Sequence, residues 1–397
     1  QRQKFDFEVY QKCDFTRSYR PKPLVRKSFI EEAAAIINAA KKPFVIFGQG
    51  VLLGKAEKEF KQFIEKGGIP AAWTIMGLSA LPSEHPLNMG MLGMHGNYGP
   101  NVLTNECDVL IAVGMRFDDR VTGRLDKYAK QAKIIHLDID PAEIDKNVKT
   151  TVAVWGDCKE TLPMLTDLIE QKCYPQWLQK FNELQQKEEE TCIQPELHPT
   201  EGQMTMGEVI NVLNNLTGGD AVIVTDVGQH QMVTCRYAQF TKSKSNITSG
   251  GLGTMGFALP AAIGAKFGAL DRTVVAVIGD GGFQMTIQEL GTIMQTGVAV
   301  KMLILNNQFL GMVRQWQQLF HDRRYSFVDI QSPDYVQVAK GYGIAGLSIA
   351  DRVDLKEALT AMLHHDGSYL LEVMVGKENN VFPMVTQGSS VSEIRLS

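Results

Sequence analysis

The chain's 397 residues are enough for two domains with substantial cores. A net charge of −4 with no basic stripe argues against a nucleic-acid partner, and no apolar run approaches the roughly 18 residues of a membrane helix, which argues against a membrane. Six scattered cysteines (Cys13, Cys107, Cys158, Cys173, Cys192, Cys235), with no C-x-x-C and no legible signal or transit segment, read as reduced thiols of a cytoplasmic protein.

Residues 1–27, mixed, basic and Pro-containing, predict a connecting arm. Ser28 and Glu31 have the spacing of a capping box and predict an amphipathic helix ending near Lys42. Strand-like runs at Phe44–Phe47, Val109–Val113 and Ile134–Ile139 alternate with helical stretches and predict a first α/β domain over residues 28–172. Residues 173–204 are polar and predict a surface helix plus linker, with the charge run Lys187–Glu190 as a solvated face. A second domain over residues 205–386 opens on a helix at Met206–Leu216. Its predicted strands are Ala221–Thr225, Thr273–Ile278, Val300–Leu305 and Tyr369–Val375. The tail, residues 387–397, either folds over the site or is mobile. The fold class is α/β: two doubly wound parallel-sheet domains.

The chemistry concentrates where strands end. Gly279-Asp280-Gly281-Gly282 closes one apolar run and Asn306-Asn307 closes the next, with a helix-length stretch between them. These motifs then end neighbouring parallel strands of one βαβ unit, where ligands bind. A carboxylate and a carboxamide oxygen side by side suit Mg²⁺ or Ca²⁺ carrying a diphosphate, beside a helix opening near Phe283. Either motif alone reads as a chain-reversing turn; the two in register favour the ion. No Gly-Lys-Ser/Thr follows, which excludes a Walker A loop.

Other signals stay two-sided on the residues alone. Gly48-Gln-Gly50 and Gly114 are glycine turns after strands that suit an adenine dinucleotide, and Asp138 or Asp140 could accept a ribose hydroxyl or simply cap a helix before Pro141. Gly251-Leu-Gly253-Thr-Met-Gly256 matches G-x-G-x-x-G but follows the polar stretch Lys242–Asn246 instead of a clean strand. His230 reads as a satisfied loop histidine, and Met91 with Met94 as core packing or a ligand contact.

The Gly-Asp-Gly…Asn-Asn pair resembles the thiamine-diphosphate motif of the decarboxylase and carboligase superfamily. From about residue 30 onward the text resembles the catalytic subunits of the acetohydroxyacid (acetolactate) synthase family. The resemblance is carried by Gly90-Met-Leu-Gly-Met-His-Gly96, Gly114-Met-Arg-Phe-Asp-Asp-Arg-Val-Thr-Gly123, His136-Leu-Asp-Ile-Asp-Pro-Ala-Glu143, Asp226-Val-Gly-Gln-His-Gln-Met232, Ser249-Gly-Gly-Leu-Gly-Thr-Met-Gly-Phe257 and Gly311-Met-Val-Arg-Gln-Trp316. It implies a central FAD-type domain and a C-terminal diphosphate domain, with thiamine diphosphate, Mg²⁺ and a structural FAD as cofactors. The implied reaction decarboxylates pyruvate and transfers the two-carbon unit to pyruvate or 2-ketobutyrate, in branched-chain amino acid biosynthesis. Homodimers or homotetramers and a regulatory small subunit are implied as partners.

Carried over by position, Asp280, the Asn307 side chain and the Phe309 carbonyl resemble metal ligands. Val227, Gly228, Gln229, His230, Gly281, Gly282, Gly311 and Met312 resemble the diphosphate cradle; Gly253 and Met255 resemble the grip on the aminopyrimidine. Arg120 is the candidate fork for the second substrate's carboxylate, its alternative being an ion pair within Asp118-Asp119-Arg120. Trp316 is the candidate acceptor wall, its alternative a core aromatic; Gln229 and Met255 complete the implied catalytic set. Gly48, Gly50, Thr74, Gly93, Met94, His95, Gly114, Arg116, Asp138, Ile139 and Asp157 resemble FAD contacts, joined by Gly250 and Gly251 from the other domain. The chain departs from the family in one respect: the glutamate that activates the cofactor lies in a separate N-terminal pyrimidine-binding domain, and nothing ahead of residue 28 resembles it. These residues are therefore expected to be part of a longer enzyme, or to be completed by another chain, and not to turn over alone. Competing readings are a flavin-free catabolic acetolactate synthase, a pyruvate oxidase, or a non-catalytic cofactor-binding fragment.

Overall fold

A strand such as Val109–Val113 is apolar at every position, so it is stable only with both faces covered. That is how the chain folds in the structure, a computed structural model describing residues 22–397; most of the expected arm at 1–27, and Cys13, lie outside the described residues. In the first domain β1 (Pro43–Phe47), β2 (Ala71–Trp73), β3 (Asn88–Met91), β4 (Val109–Val113), β5 (Lys133–Asp138) and β6 (Val152–Trp155) form one sheet in the order β3-β2-β1-β4-β5-β6. In the second, β7 (Val222–Thr225), β8 (Asn246–Thr248), β9 (Val274–Gly279), β10 (Lys301–Asn306), β11 (Ala345–Ile349) and β12 (Tyr369–Met374) form another, ordered β11-β12-β10-β9-β7-β8. Every pairing is parallel, as the doubly wound reading requires. One apolar cluster runs from Ile30 and Phe60 through Val209 to Val373, so the domains share core.

Several local expectations are corrected. The first helix spans Lys27–Ala39, with Arg26 as its extended N-cap and no side-chain cap. Ser28 already lies inside the first turn, where it cannot cap, and the buried stripe Ile30, Ala33, Ala34, Ile37 sets the helix instead. The helix expected near Phe283 starts at Asp280 itself. A three-residue strand, β8, does precede the Gly251–Gly256 motif, although it sits at the sheet edge.

The largest correction concerns residues 173–204. Helix Pro175–Glu188 buries Trp177 and Phe181 against the first domain, and the Trp177 indole N–H donates to the Pro43 carbonyl at 2.9 Å. Glu188 is fully buried and paired with Arg236, so the Lys187–Glu190 run is not a uniformly solvated face. The tail folds back onto the first domain: Ser390 bridges to Gly123, and the Arg124 N–H donates to the Ser389 carbonyl at 3.1 Å. None of the described helices is long and apolar enough to cross a membrane.

Candidate active site

A strand order that reverses direction leaves a crevice at the strand ends. In the first sheet the reversal lies between β1 and β4, and both are followed by glycine. The Gly50 N–H donates to the Gly114 carbonyl at 2.8 Å, and a Cβ on Gly50 would stand 2.6 Å from the Gly114 Cα; no other residue permits that crossing. Gly48 sits behind this wall, packed against Met115. In the second sheet β7 pairs β8 on one side and β9 on the other, and the ends of β7, β9 and β10 form the facing wall. Between the two walls lies a cavity of about 1280 Å³, above the ~300–1,000 Å³ usual for a single small ligand. Every candidate residue except Gly48 lines it.

Asp226, directly after β7, organises the second wall. Its fully buried carboxylate accepts the N–H groups of Val227 at 2.9 Å, Gly256 at 3.0 Å and Ala258 at 2.9 Å. A Cβ on Gly282 would stand 2.4 Å from it, so the Gly-Asp-Gly-Gly turn is wrapped onto this group. Sequence reading quoted Asp226 in a motif and gave it no role. Its signal was a carboxylate at a strand end with no cation beside it.

The Asp280 carboxylate emerges where β9 ends. It receives the Ser332 hydroxyl at 3.3 Å, and the backbone N–H of Gln308, in the turn after β10, lies against it. Burial pushes Asp280 up to about 6, with the Gly281 and Gln308 amides and Ser332 pulling the other way. Asn307 donates through Nδ2 to Gln229 Oε1 at 3.2 Å, and its Oδ1 accepts the Phe309 N–H at 3.2 Å, leaving a second lone pair. Gln229 itself donates to Gln315 at 2.9 Å and to the Asn379 carbonyl at 2.8 Å. Its amide is thus engaged on both sides by protein and positions Asn307. A Cβ on Gly311 would fall 2.2 Å from the Gln229 Oε1, which explains that glycine.

Two histidines face the cavity with unpaired ring nitrogens. His230 is buried with no partner for Nε2, and His95, from the first domain, has none for either nitrogen. Burial lowers each to about 4, so both are neutral at pH 7. Buried orphan polar atoms call for a ligand atom. The site thus fits a group that brings hydrogen-bonding oxygens to His230 and a second polar group to His95, above an oxygen-rich corner at Asp280 and Asn307.

On the first wall, Asp138 is buried and accepts the Asp140 N–H at 2.8 Å, while Asp140 accepts the Ala142 N–H at 2.9 Å in a turn, not a helix. Asp157 caps helix Cys158–Leu168 through the Lys159 N–H and pairs with Lys22. Met91 is core; Met94 faces Arg120, whose Nη1 lies 3.7 Å from its sulfur. Arg120 is exposed and forms no salt bridge among the described residues, because Asp118 pairs with Arg116 at 3.3 Å. Trp316 is half-buried on helix Gly311–Phe320, its ring 4.9 Å from Phe320. Gly250 approaches Met76 of the first domain, where a Cβ would meet the sulfur at 2.7 Å.

Both walls of the cleft fall in stretches that match known families. Residues 30–165 match the thiamine pyrophosphate enzyme central domain, and residues 226–373 match the thiamine pyrophosphate enzyme C-terminal TPP binding domain. The acetolactate synthase isozyme 2 large subunit of Escherichia coli (strain K12) is 41% identical over 366 residues, covering 92% of this chain and 65% of the relative. The isozyme 3 large subunit of the same organism is 39% identical over 389 residues, 96% of this chain and 67% of the relative. The chloroplastic acetolactate synthase 1 of Nicotiana tabacum is 38% identical over 391 residues, 94% of this chain and 57% of the relative. The chain thus spans about two thirds of the length of the bacterial relatives. On these matches, the chain belongs to the acetolactate synthase large-subunit family of thiamine pyrophosphate enzymes.

Proposed function

We propose that this chain carries the thiamine-diphosphate and flavin sites of an acetolactate synthase, which decarboxylates pyruvate and joins the two-carbon unit to pyruvate or 2-ketobutyrate. The observation that carries the reading is the corner where the Asp280 carboxylate meets the turn holding Asn307, beneath the unpaired His230 nitrogen. Asp280, Asn307 and the Phe309 carbonyl would hold Mg²⁺, a hard cation that takes oxygen donors. Gly281, Gly282 and the first amides of helix Gln229–Tyr237 would meet the diphosphate, where neutral His230 can donate one hydrogen bond without adding charge. Bound there, thiamine diphosphate supplies the carbanion nucleophile and the electron sink for 2-ketoacid chemistry.

The remaining roles belong to side chains. Met255 lends a bulky, polarisable surface with no competing polar atom. Arg120, free of a carboxylate partner among the described residues and projecting into the cleft, matches an acceptor carboxylate bidentately. Trp316 walls the far side and excludes water from the acceptor. FAD fits the first wall, with Gly50 and Gly114 admitting a dinucleotide backbone, Asp138 beside its ribose and His95 toward its polar edge. A cytoplasmic homo-oligomer with a regulatory small subunit completes the proposal.

Among the described residues the one glutamate lining the cleft is Glu143, after β5 on the flavin side. That favours an activating carboxylate brought from another segment or chain, and a second reading in which these residues bind cofactors without turning over alone. The test is calorimetric titration of Mg²⁺ with thiamine diphosphate into the unmodified chain and Asp280→Ala, alongside the absorbance of a flavin-soaked sample. Saturable binding lost in the variant supports the proposal; identical binding by both chains refutes it.

A further inference from the structure

We infer that the buried pair Glu188–Arg236 couples the two walls of the cleft, so that ligand bound at the diphosphate wall is felt by the loop that presents His95. The inference rests on the cofactor positions proposed above.

The side chains of Arg236 and Glu188 are 0% and 1% exposed and meet at 2.5 Å. Two charges so deeply buried cost more in lost hydration than a well-packed apolar pair of the same volume, so stability alone does not account for them. What they touch does. Glu188 Oε1 accepts from Arg236 and from Asn97 Nδ2 at 3.0 Å, and Oε2 accepts the Tyr98 N–H at 2.6 Å. The other arm of Arg236 donates to the His95 carbonyl at 3.0 Å. One ion pair therefore joins the linker helix, the first-domain loop Gly90–Tyr98 and the second-domain helix Gln229–Tyr237.

Both joined pieces are stiff. In the loop, Asn97 Oδ1 accepts the Met91 N–H at 2.8 Å, and Asn101 spans the N–H and carbonyl of Gly93 at 3.1 and 3.0 Å. The helix is nine residues, about 13 Å of regular hydrogen-bonded rod, pinned by Gln231 to Thr248 at 2.7 Å. Its first turn carries Gln229 and His230 on the diphosphate wall; its last carries Arg236 on the loop. A displacement of a few tenths of an ångström at His230 reaches His95 through that rod and fork, because neither piece can absorb it internally.

The test is amide hydrogen exchange on the 397-residue chain, with and without thiamine diphosphate and Mg²⁺. It compares the unmodified chain with Arg236→Lys and with the double substitution Glu188→Leu/Arg236→Met, which removes both charges and leaves none buried alone. In the unmodified chain, ligand is expected to slow exchange severalfold at residues 227–231 and also at 91–98. In the double variant protection at 227–231 persists while that at 91–98 disappears; Arg236→Lys, with charge but no fork, falls between. Loop protection that survives in the double variant, or that is absent from the unmodified chain while 227–231 are protected, overturns the coupling. Absence of protection at 227–231 in every chain refutes the cofactor assignment itself, and the coupling with it.

Discussion

Neutralising Asp280 is expected to stabilise the metal-free chain at alkaline pH while abolishing its response to cofactor. Burial moves this carboxyl from 3.8 to about 6. Between those values the unfolded chain gives up its proton before the folded one does, so folding stability falls as pH rises through about 4 to 6 and stays reduced above. A rise of roughly two pH units at about 1.4 kcal/mol each sets the cost near 3 kcal/mol. Asp280→Asn removes the titration, although its amide hydrogens oppose the Gly281 N–H and the Ser332 hydroxyl now aimed at the carboxylate. The net gain is therefore on the order of 1–2 kcal/mol at pH 8, vanishing near pH 4. Mg²⁺ with thiamine diphosphate at a hundredfold excess over Kd would return about 2.7 kcal/mol to the unmodified chain and almost nothing to the variant. Urea unfolding at pH 4.5 and 8, with and without ligand, measures all four terms. A variant no more stable than the parent at pH 8, or equally stabilised by ligand, refutes the reasoning.

Three further outcomes follow from particular contacts. Asp226→Asn turns one of the two oxygens that receive Val227, Gly256 and Ala258 into a donor; a loss of about 2–4 kcal/mol in urea unfolding is expected, and a loss under about 1 would deny Asp226 its organising role. Gly311→Ala drives a methyl to 2.2 Å from Gln229 Oε1, which must move and release Asn307; titration calorimetry is expected to show Mg²⁺–thiamine diphosphate affinity weakened about tenfold or more, for a stability cost of only about 1–2 kcal/mol. Arg120→Ala, exposed and without an ion pair among the described residues, is expected to leave the unfolding free energy within about 0.5 kcal/mol of unchanged in urea, yet to raise the acceptor KM severalfold in the complete enzyme.

Much of the fold was legible because burial on two faces leaves a plain trace. Val109–Val113 is apolar throughout, and Thr273–Ile278 and Val300–Leu305 are apolar but for Thr273 and Lys301; they became β4, β9 and β10 within a residue. Strands without that trace were missed. β2 is three residues long, and β11 leaves Leu347 and Ser348 exposed, so neither a run nor an alternation marks them. The same contrast divides the site. The oxygen donors Asp280 and Asn307 and the bare backbone of Gly281 and Gly282 were legible from residue type alone, and the structure brings them to one cleft. Glu188 was not: beside Glu189 and Glu190 nothing local sets it apart, and its partner Arg236 is 48 positions away.

The Asn306-Asn307 pair shows why such supporting contacts escape a linear reading. Asn307 faces the cleft, and its role follows from its chemistry. Asn306 points the other way: its Nδ2 donates to Glu372 on β12 at 2.7 Å, and its Oδ1 accepts the Gln308 N–H at 3.0 Å. Glu372 is held in turn by the Ser348 hydroxyl of β11 at 2.7 Å. Gln308 takes a φ of +57°, a left-handed turn that a non-glycine residue adopts only under constraint, and it separates Asn307 from Phe309, both of which line the cleft. The first asparagine thus shapes the loop whose second member lines the cleft, drawing its authority from a carboxylate two strands removed in sequence. A motif read along the chain names the residue that faces the cleft; which residue keeps it there is settled across the sheet, where register brings β10, β12 and β11 side by side.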